Sequence, residues 1–194
     1  MQKDAGAAAI CAIISGEMKV LLHSCCGPCA SACVPRLKEG GHEVAMFFSN
    51  SNIDTREEFE KRMGEARRLA SSEGVELVED EYDHGRWLSE VADGFEHEPE
   101  RGRRCERCYR YNLARTAAYA AANGFDAFTT SLTVSPHKPS ARIFAASDDP
   151  RFLREDFKKR DGFKLSLQRS SALGLYRQQY CGCEFSKRQE KDTP

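Results

Sequence analysis

The most constraining stretch of this chain is a short apolar run that stops in thiols. Val20-Leu-Leu22 leads directly into His23-Ser-Cys-Cys-Gly-Pro-Cys29. A buried-strand pattern ended by Gly-Pro and followed by helix-compatible residues reads as a strand giving way to a helix. The alternation then repeats. Residues 43–48, 75–78 and 127–132 read as further buried strands. Residues 30–38, 56–71, 105–122, 140–146 and 171–179 read as helices. The second helix shows its register most clearly: Asp54 or Thr55 caps it, Glu58 is placed for a capping box, and Phe59, Met63, Ala66 and Leu69 recur at helical spacing. Strands alternating with helices predict an α/β fold with a three-layer parallel sheet in one domain. The thiols after the first strand then stand at the carboxyl edge of the sheet, where open α/β sheets bind ligands. Residues 84–100 read as a short helix and an acidic loop. Residues 148–164 read as irregular, with Phe152-Leu153 as a short edge strand.

The 194 residues suffice for one domain with a proper core, read as residues 19–187. Residues 1–18 read as an extension, with Met18 as the working start, and 188–194 as a tail. The apolar part of the extension is too short to span a membrane, so no membrane partner is expected. The net charge of −1 is unevenly spread. Residues 73–100 carry eleven acids against Arg86 alone, whereas residues 101–194 carry nineteen Lys/Arg against ten acids. That split makes nucleic acid a partner to test, set against a merely solvated surface.

Cysteine spacing decides the chemistry. Nine cysteines occur as Cys25-Cys26-x-x-Cys29, Cys105-x-x-Cys108 and Cys181-x-Cys183, with Cys11 and Cys33 apart. Tight pairs far apart in sequence look like ligand sets in a reducing cytoplasm, not disulfide staples. Alone, Cys26-Gly-Pro-Cys29 is a dithiol redox tetrapeptide at a helix start, which suits a thioredoxin-like oxidoreductase. That reading leaves Cys25 and four further paired thiols without a role. One zinc or one 4Fe–4S cluster takes four thiols and leaves three, so a second metal or a redox-active pair is implied. A structural-zinc RNA-binding module is the other alternative. If extended, Cys25 and Cys26 point apart and serve two neighbouring centres. Cys33, one turn beyond Cys29, reads as a buried, inert thiol. Around the second pair Arg101, Arg103, Arg104, Arg107 and Arg110 interleave with Tyr109 and Tyr111, a pattern suited to unpaired RNA, although these arginines also match the acidic stretch in charge. His137 and Lys138 follow the fourth strand, and Tyr176 and Arg177 precede the last pair.

Leu-Leu-His-Ser-Cys-Cys-Gly-Pro-Cys, Arg-Arg-Cys-x-x-Cys-Tyr, Phe-Thr-Thr-Ser-Leu-Thr-Val-Ser-Pro-His-Lys and Leu-Tyr-Arg-Gln-x-Tyr-Cys-Gly-Cys stand in this order over residues 19–186. In this set the chain resembles the cobalamin-independent epoxyqueuosine reductases. The resemblance implies a fold like the adenine-nucleotide α-hydrolases (HUP-like), a 4Fe–4S cluster, a second metal ion of iron or zinc, and action on the wobble nucleotide in the anticodon loop of tRNA. The implied reaction removes the epoxide oxygen of epoxyqueuosine, with electrons from a donor of unknown identity. Cys25, Cys26, Cys105, Cys108, Cys181 and Cys183 match the family cysteines. Position 29 is Asp in some members and Cys here, and Ser51 stands where the family often has proline. The cluster is expected to draw on Cys26, Cys105, Cys108 and one of Cys181/Cys183, with Cys183 preferred, and Cys25, Cys29 and the remaining thiol are expected to hold the second metal. Cys29, Asp83, His137 and Tyr109 are the expected catalytic groups. Arg103, Arg104, Arg107, Lys138, Tyr176 and Arg177 are the expected tRNA contacts.

Overall fold

Four parallel strands run side by side in the order β3-β2-β1-β4, where β1 is Lys19–His23, β2 Glu43–Phe48, β3 Glu76–Glu79 and β4 Ala127–Thr130. The computed structural model describes residues 16–187. Readings that fall on residues 1–15 and 188–194, Cys11 included, lie outside the described residues. Alternation along the strands sorts the core into two layers. Val20, Leu22, Val44, Met46 and Phe48 pack on one face against α1 (Gly27–Glu39), α2 (Arg56–Glu73) and neighbouring elements. Leu21, Ala45, Phe47 and Phe128 pack on the other against α4 (Arg103–Ala122) and α5 (Ser140–Phe144). A sheet covered on both faces needs near-continuous apolar strands, which explains why these runs stood out in the sequence. Thr55 caps α2 by accepting the Glu58 backbone N–H at 3.2 Å. Gly74 ends that helix in a left-handed conformation.

Two differences from the sequence reading concern the chain's second half. The last long helix, α6, is Gly162–Ala172, and residues 173–180 are not helical. Its start lies in a stretch whose charge suggested irregular chain, but Phe163, Ser166 and Ser170 turn one face inward. Leu173 and Gly174 then stop it, Gly174 at φ 59°. The fourth strand is also shorter than read: at Ser131 the chain winds into a 3-10 turn to Val134. Phe152 pairs with Phe128 as a single parallel bridge, in keeping with the edge segment read there. Among the described residues, no helix is long and apolar enough to cross a membrane.

Strand order reverses between β1 and β4, since β2 lies on one side of β1 and β4 on the other. That reversal opens a crevice at the carboxyl edge, and the edge is tied together at His23. His23 is fully buried at the end of β1. Its Nε2 lies 3.1 Å from the Ser49 carbonyl, which only accepts, so Nε2 carries the proton. Its Nδ1 accepts from the Thr130 hydroxyl at 2.9 Å, and that oxygen accepts the Leu132 N–H. The Ser49 hydroxyl continues to Asp80 at 2.6 Å, and Asp80 takes a two-pronged contact from Arg115 of α4 at 2.6 and 2.7 Å. Burial lowers the His23 pKa to about 4. An unfolded histidine titrates near 6.5, so below that pH the unfolded chain binds a proton that the folded chain refuses. Stability is therefore expected to fall by about 1.4 kcal/mol per pH unit as pH drops from about 6.5 towards 4. Urea unfolding across that window should show the slope, and His23→Gln should remove it.

Candidate metal centre

Three thiols meet in the turn from β1 into α1. Cys25, Cys26 and Cys29 have sulfur atoms that all lie within 4.8 Å of one another, and those of Cys25 and Cys26 are 3.9 Å apart. The expectation that Cys25 and Cys26 point apart therefore does not hold. It assumed an extended dipeptide, but the chain bends at Cys25, so both sulfurs reach the same place. Gly27 lets the start of α1 sit close against α2: a Cβ there would come within 2.7 Å of the Glu65 carbonyl oxygen. The three thiols share charge. Hydrogen bonds from Cys25 and Cys29 hold the Cys26 thiol well below its ordinary pKa, while the Cys25 thiol is pushed up to about 12.

The remaining ligand-like thiols come from the first two turns of α4 and from the loop after residue 180. Burial, followed by the neighbouring Cys181, Cys183 and Cys105, raises the Cys108 thiol well above its ordinary value. Cys183 is pushed to about 11 by burial and then by Cys181. The Cys181-Gly-Cys183 loop is pinned to α2 by Arg62, which is 1% exposed. Arg62 donates to the Cys181 carbonyl at 2.9 Å and pairs with Glu58 at 2.7 Å, and Asp54 N–H binds the Gly182 carbonyl at 3.0 Å. Gly182 sits at φ 147°, and a Cβ there would come within 2.9 Å of the Asn52 amide nitrogen.

Both thiol sets border one cavity of about 360 Å³ at the crevice between β1 and β4. Cys25, Cys29, Cys108 and Cys181 line it, whereas Cys26, Cys105 and Cys183 do not. Tyr109, His137, Lys138 and Arg177 line it as well. Burial raises the Tyr109 phenol and keeps it protonated. Burial works against the charge on Lys138, yet Cys181, Cys25, Tyr109 and Cys29 outweigh it and raise the ammonium above its ordinary value. His137 is exposed at the rim, with Nδ1 3.3 Å from the Arg101 guanidinium.

The donor set fits metal ions. A thiol is a weak acceptor, but here donors aim at the sulfurs: the Ser131 hydroxyl at Cys25 (3.3 Å), the Arg101 N–H at Cys105 (3.2 Å) and the Asn112 amide at Cys108 (3.8 Å). Such surroundings suit thiolates, the form that ligates metal. Cys33 stands apart, fully buried, its thiol directed at the Cys29 carbonyl, as an inert core residue would be.

Several residues expected at the site do other work. Asp83 caps α3 (His84–Trp87) by accepting the Arg86 N–H at 2.9 Å, and it does not line the cavity. Arg104 is 2% exposed and donates to the carbonyls of Phe95, Glu96 and Glu98. Arg107 binds the carbonyls of Glu90 and Val91, and Arg103 pairs with Glu98 at 2.6 Å. These three arginines answer the acidic segment, the alternative that charge pattern left open. Tyr176 is held on α2, its hydroxyl donating to Glu58 and its ring under Lys61. Sequence reasoning missed Arg62, Asn112, Ser131 and Trp87. Only Arg62 carried a signal, as a charged residue beside Met63 on the apolar stripe of α2.

The comparisons with known proteins converge on one family. Its sequence model, described as Epoxyqueuosine reductase QueH, matches residues 20–189. The chain belongs to the epoxyqueuosine reductase QueH family. Relatives named Epoxyqueuosine reductase QueH include one from Acinetobacter baylyi, 37% identical over 177 residues that cover 88% of this chain and 81% of the relative. One from Dehalococcoides mccartyi is 33% identical over 183 residues, covering 91% and 96%. One from Streptococcus pyogenes is 33% identical over 183 residues, covering 88% and 71%. The matched segment contains both thiol sets and the cavity between them.

The two neighbouring arginines give a direct check on their roles. Arg104→Ala leaves three carbonyls without their donor and is expected to lower the unfolding free energy by about 2–4 kcal/mol. Arg103→Ala removes an exposed pair and should change it by about 0.5 kcal/mol or less. Denaturant titration of both variants separates the two.

Proposed function

We propose that this chain is an epoxyqueuosine reductase, converting epoxyqueuosine in tRNA to queuosine by reductive loss of the epoxide oxygen. The observation that carries the reading is the single cavity bordered by two thiol sets, in a chain of this family. On this reading Cys26, Cys105, Cys108 and Cys183 hold a 4Fe–4S cluster, and Cys25, Cys29 and Cys181 hold a second metal ion, iron or zinc. Cys25, Cys29, Cys108 and Cys181 line the cavity and Cys26, Cys105 and Cys183 do not, so exposure agrees with this division at every thiol but Cys108. Cys25, Cys29 and Cys181 would then be among the thiols nearest a substrate in the cavity. When bound, these metals supply electrons and a Lewis-acidic position for the epoxide oxygen.

Loss of the oxygen as water takes two electrons and two protons. Tyr109, protonated and in the cavity wall, and His137, at the rim and open to solvent, are the proton donors on this reading. The Lys138 ammonium offsets the negative charge of the thiolates and of an oxygen anion forming beside them. Cys29 serves as a ligand. Arg101, Lys138 and Arg177 border the cavity mouth and take the place of Arg103, Arg104 and Arg107 as contacts for the anticodon-loop phosphates. The electrons come from a donor outside the chain, in the cytoplasm.

Anaerobic, reduced protein incubated with epoxyqueuosine-containing tRNA is expected to yield a nucleoside lighter by one oxygen, read by mass spectrometry. The purified protein is expected to be brown and to contain iron and acid-labile sulfide. Colourless protein with zinc alone, or tRNA recovered unchanged, overturns the reading. Cys183→Ser should lose sulfide and colour, while Cys181→Ser should keep sulfide and lose the reaction.

A further inference from the structure

Cys108 is surrounded differently from the other thiols. It sits in a small apolar cluster formed by Trp87, Val91, Ala92 and Cys183, with Tyr111 and Phe185 packed around it. Trp87 is the only tryptophan in the chain and is 1% exposed. Its indole N–H is buried without a hydrogen-bond partner, and Cys108 packs against the same cluster. On the other side the Asn112 amide, 2% exposed, points its nitrogen at the same sulfur from 3.8 Å and anchors on Asn52 Oδ1 at 3.4 Å. One buried N–H donor is thus aimed at the Cys108 sulfur, and a second, without a partner, lies in the cluster that this sulfur packs against.

An indole N–H shut away from water without a good acceptor carries an unrepaid desolvation cost. A neutral thiol offsets little of that, whereas a thiolate is a strong acceptor. The chain also invests structure in holding the indole there. Asp83 caps the short helix α3, and His84, fixed by the Ser51 carbonyl at 2.9 Å, stacks on the Trp87 ring at 5.6 Å with planes 13° apart. Asp83, expected to be a proton donor, thus helps to place Trp87.

We propose that Trp87 is a positioning residue for the Cys108 thiolate. Together with Asn112 it supplies N–H···S hydrogen bonds that stabilise the electron-rich, reduced state of an iron–sulfur cluster ligated there. This inference rests on the cluster reading above and deepens it. Hydrogen bonds to ligand sulfur draw off negative charge and raise the reduction potential, so the pair sets how easily the cluster accepts an electron. The effect acts through Cys108, and neither side chain needs to touch substrate.

The test uses the full chain, purified anaerobically with its iron, and reads the midpoint potential of the cluster by redox titration of its visible and electron-paramagnetic signals. Trp87→Phe keeps an aromatic ring and removes the N–H. It is expected to move the potential to a more negative value with iron and sulfide per chain unchanged, and Asn112→Leu is expected to move it the same way. Because the chain has one tryptophan, growth on a benzothienyl analogue of tryptophan offers a second route. The analogue keeps the bicyclic shape, lacks the N–H, and should reproduce the shift even if Trp87→Phe folds poorly. An unmoved potential in iron-loaded analogue protein overturns the inference and leaves the cluster reading standing. Wild-type protein without iron and sulfide overturns both.

Discussion

Everything at the carboxyl edge of this sheet depends on one neutral histidine. His23 ends β1, binds β4 through Thr130, and binds the segment after β2 through the Ser49 carbonyl. From Ser49 the chain of contacts passes to Asp80 beyond β3 and then to Arg115 on α4. All four strand ends and the helix that carries Cys105 and Cys108 are thereby linked through fixed donors and acceptors. Only the neutral ring, protonated on Nε2, satisfies both neighbours at once, which is why burial without charge is tolerated there. The thiol turn begins two residues later, so its position follows from that of the histidine ring.

Charge segregation has a structural explanation here. The acidic stretch from 73 to 100 and the arginines that follow it fold against one another, with arginine side chains reaching backbone carbonyls as often as carboxylates. A guanidinium with five donors can hold an irregular segment in place by satisfying carbonyls that no helix or strand serves. The cationic groups that do border the cavity are few and come from separate elements: Arg101 before α4, Lys138 after β4, and Arg177 after α6. Positive charge at the cavity mouth is therefore set by tertiary arrangement, not by a run in the sequence.

The sheet and most helices were legible because strands buried on both faces must be apolar, and because the caps at Thr55 and Gly74 obey local rules. The thiols were legible because the tight spacings persist into space. What could not be read was which arginines are buried, since Arg104 and Arg103 are neighbours of the same type with opposite fates. The bend at Cys25 was equally hidden, because the residues alone do not say whether a dipeptide is extended. Asn112 and Trp87 left no trace, since an amide on a helix and a lone tryptophan are ordinary until their neighbours are known. The α6 boundary slipped because its exposed charges masked a buried stripe of phenylalanine and serine.

The two thiol sets differ in how much chain each needs. Cys25, Cys26 and Cys29 come from a single turn, so their geometry is present once β1 has paired and α1 has formed. The other set joins the first two turns of α4 to a loop near the end of the described chain, held down by Arg62. Closing that long loop carries an entropic cost that the single-turn triad does not. The triad thus depends on local structure alone, whereas the other four thiols meet only when distant parts of the chain are joined.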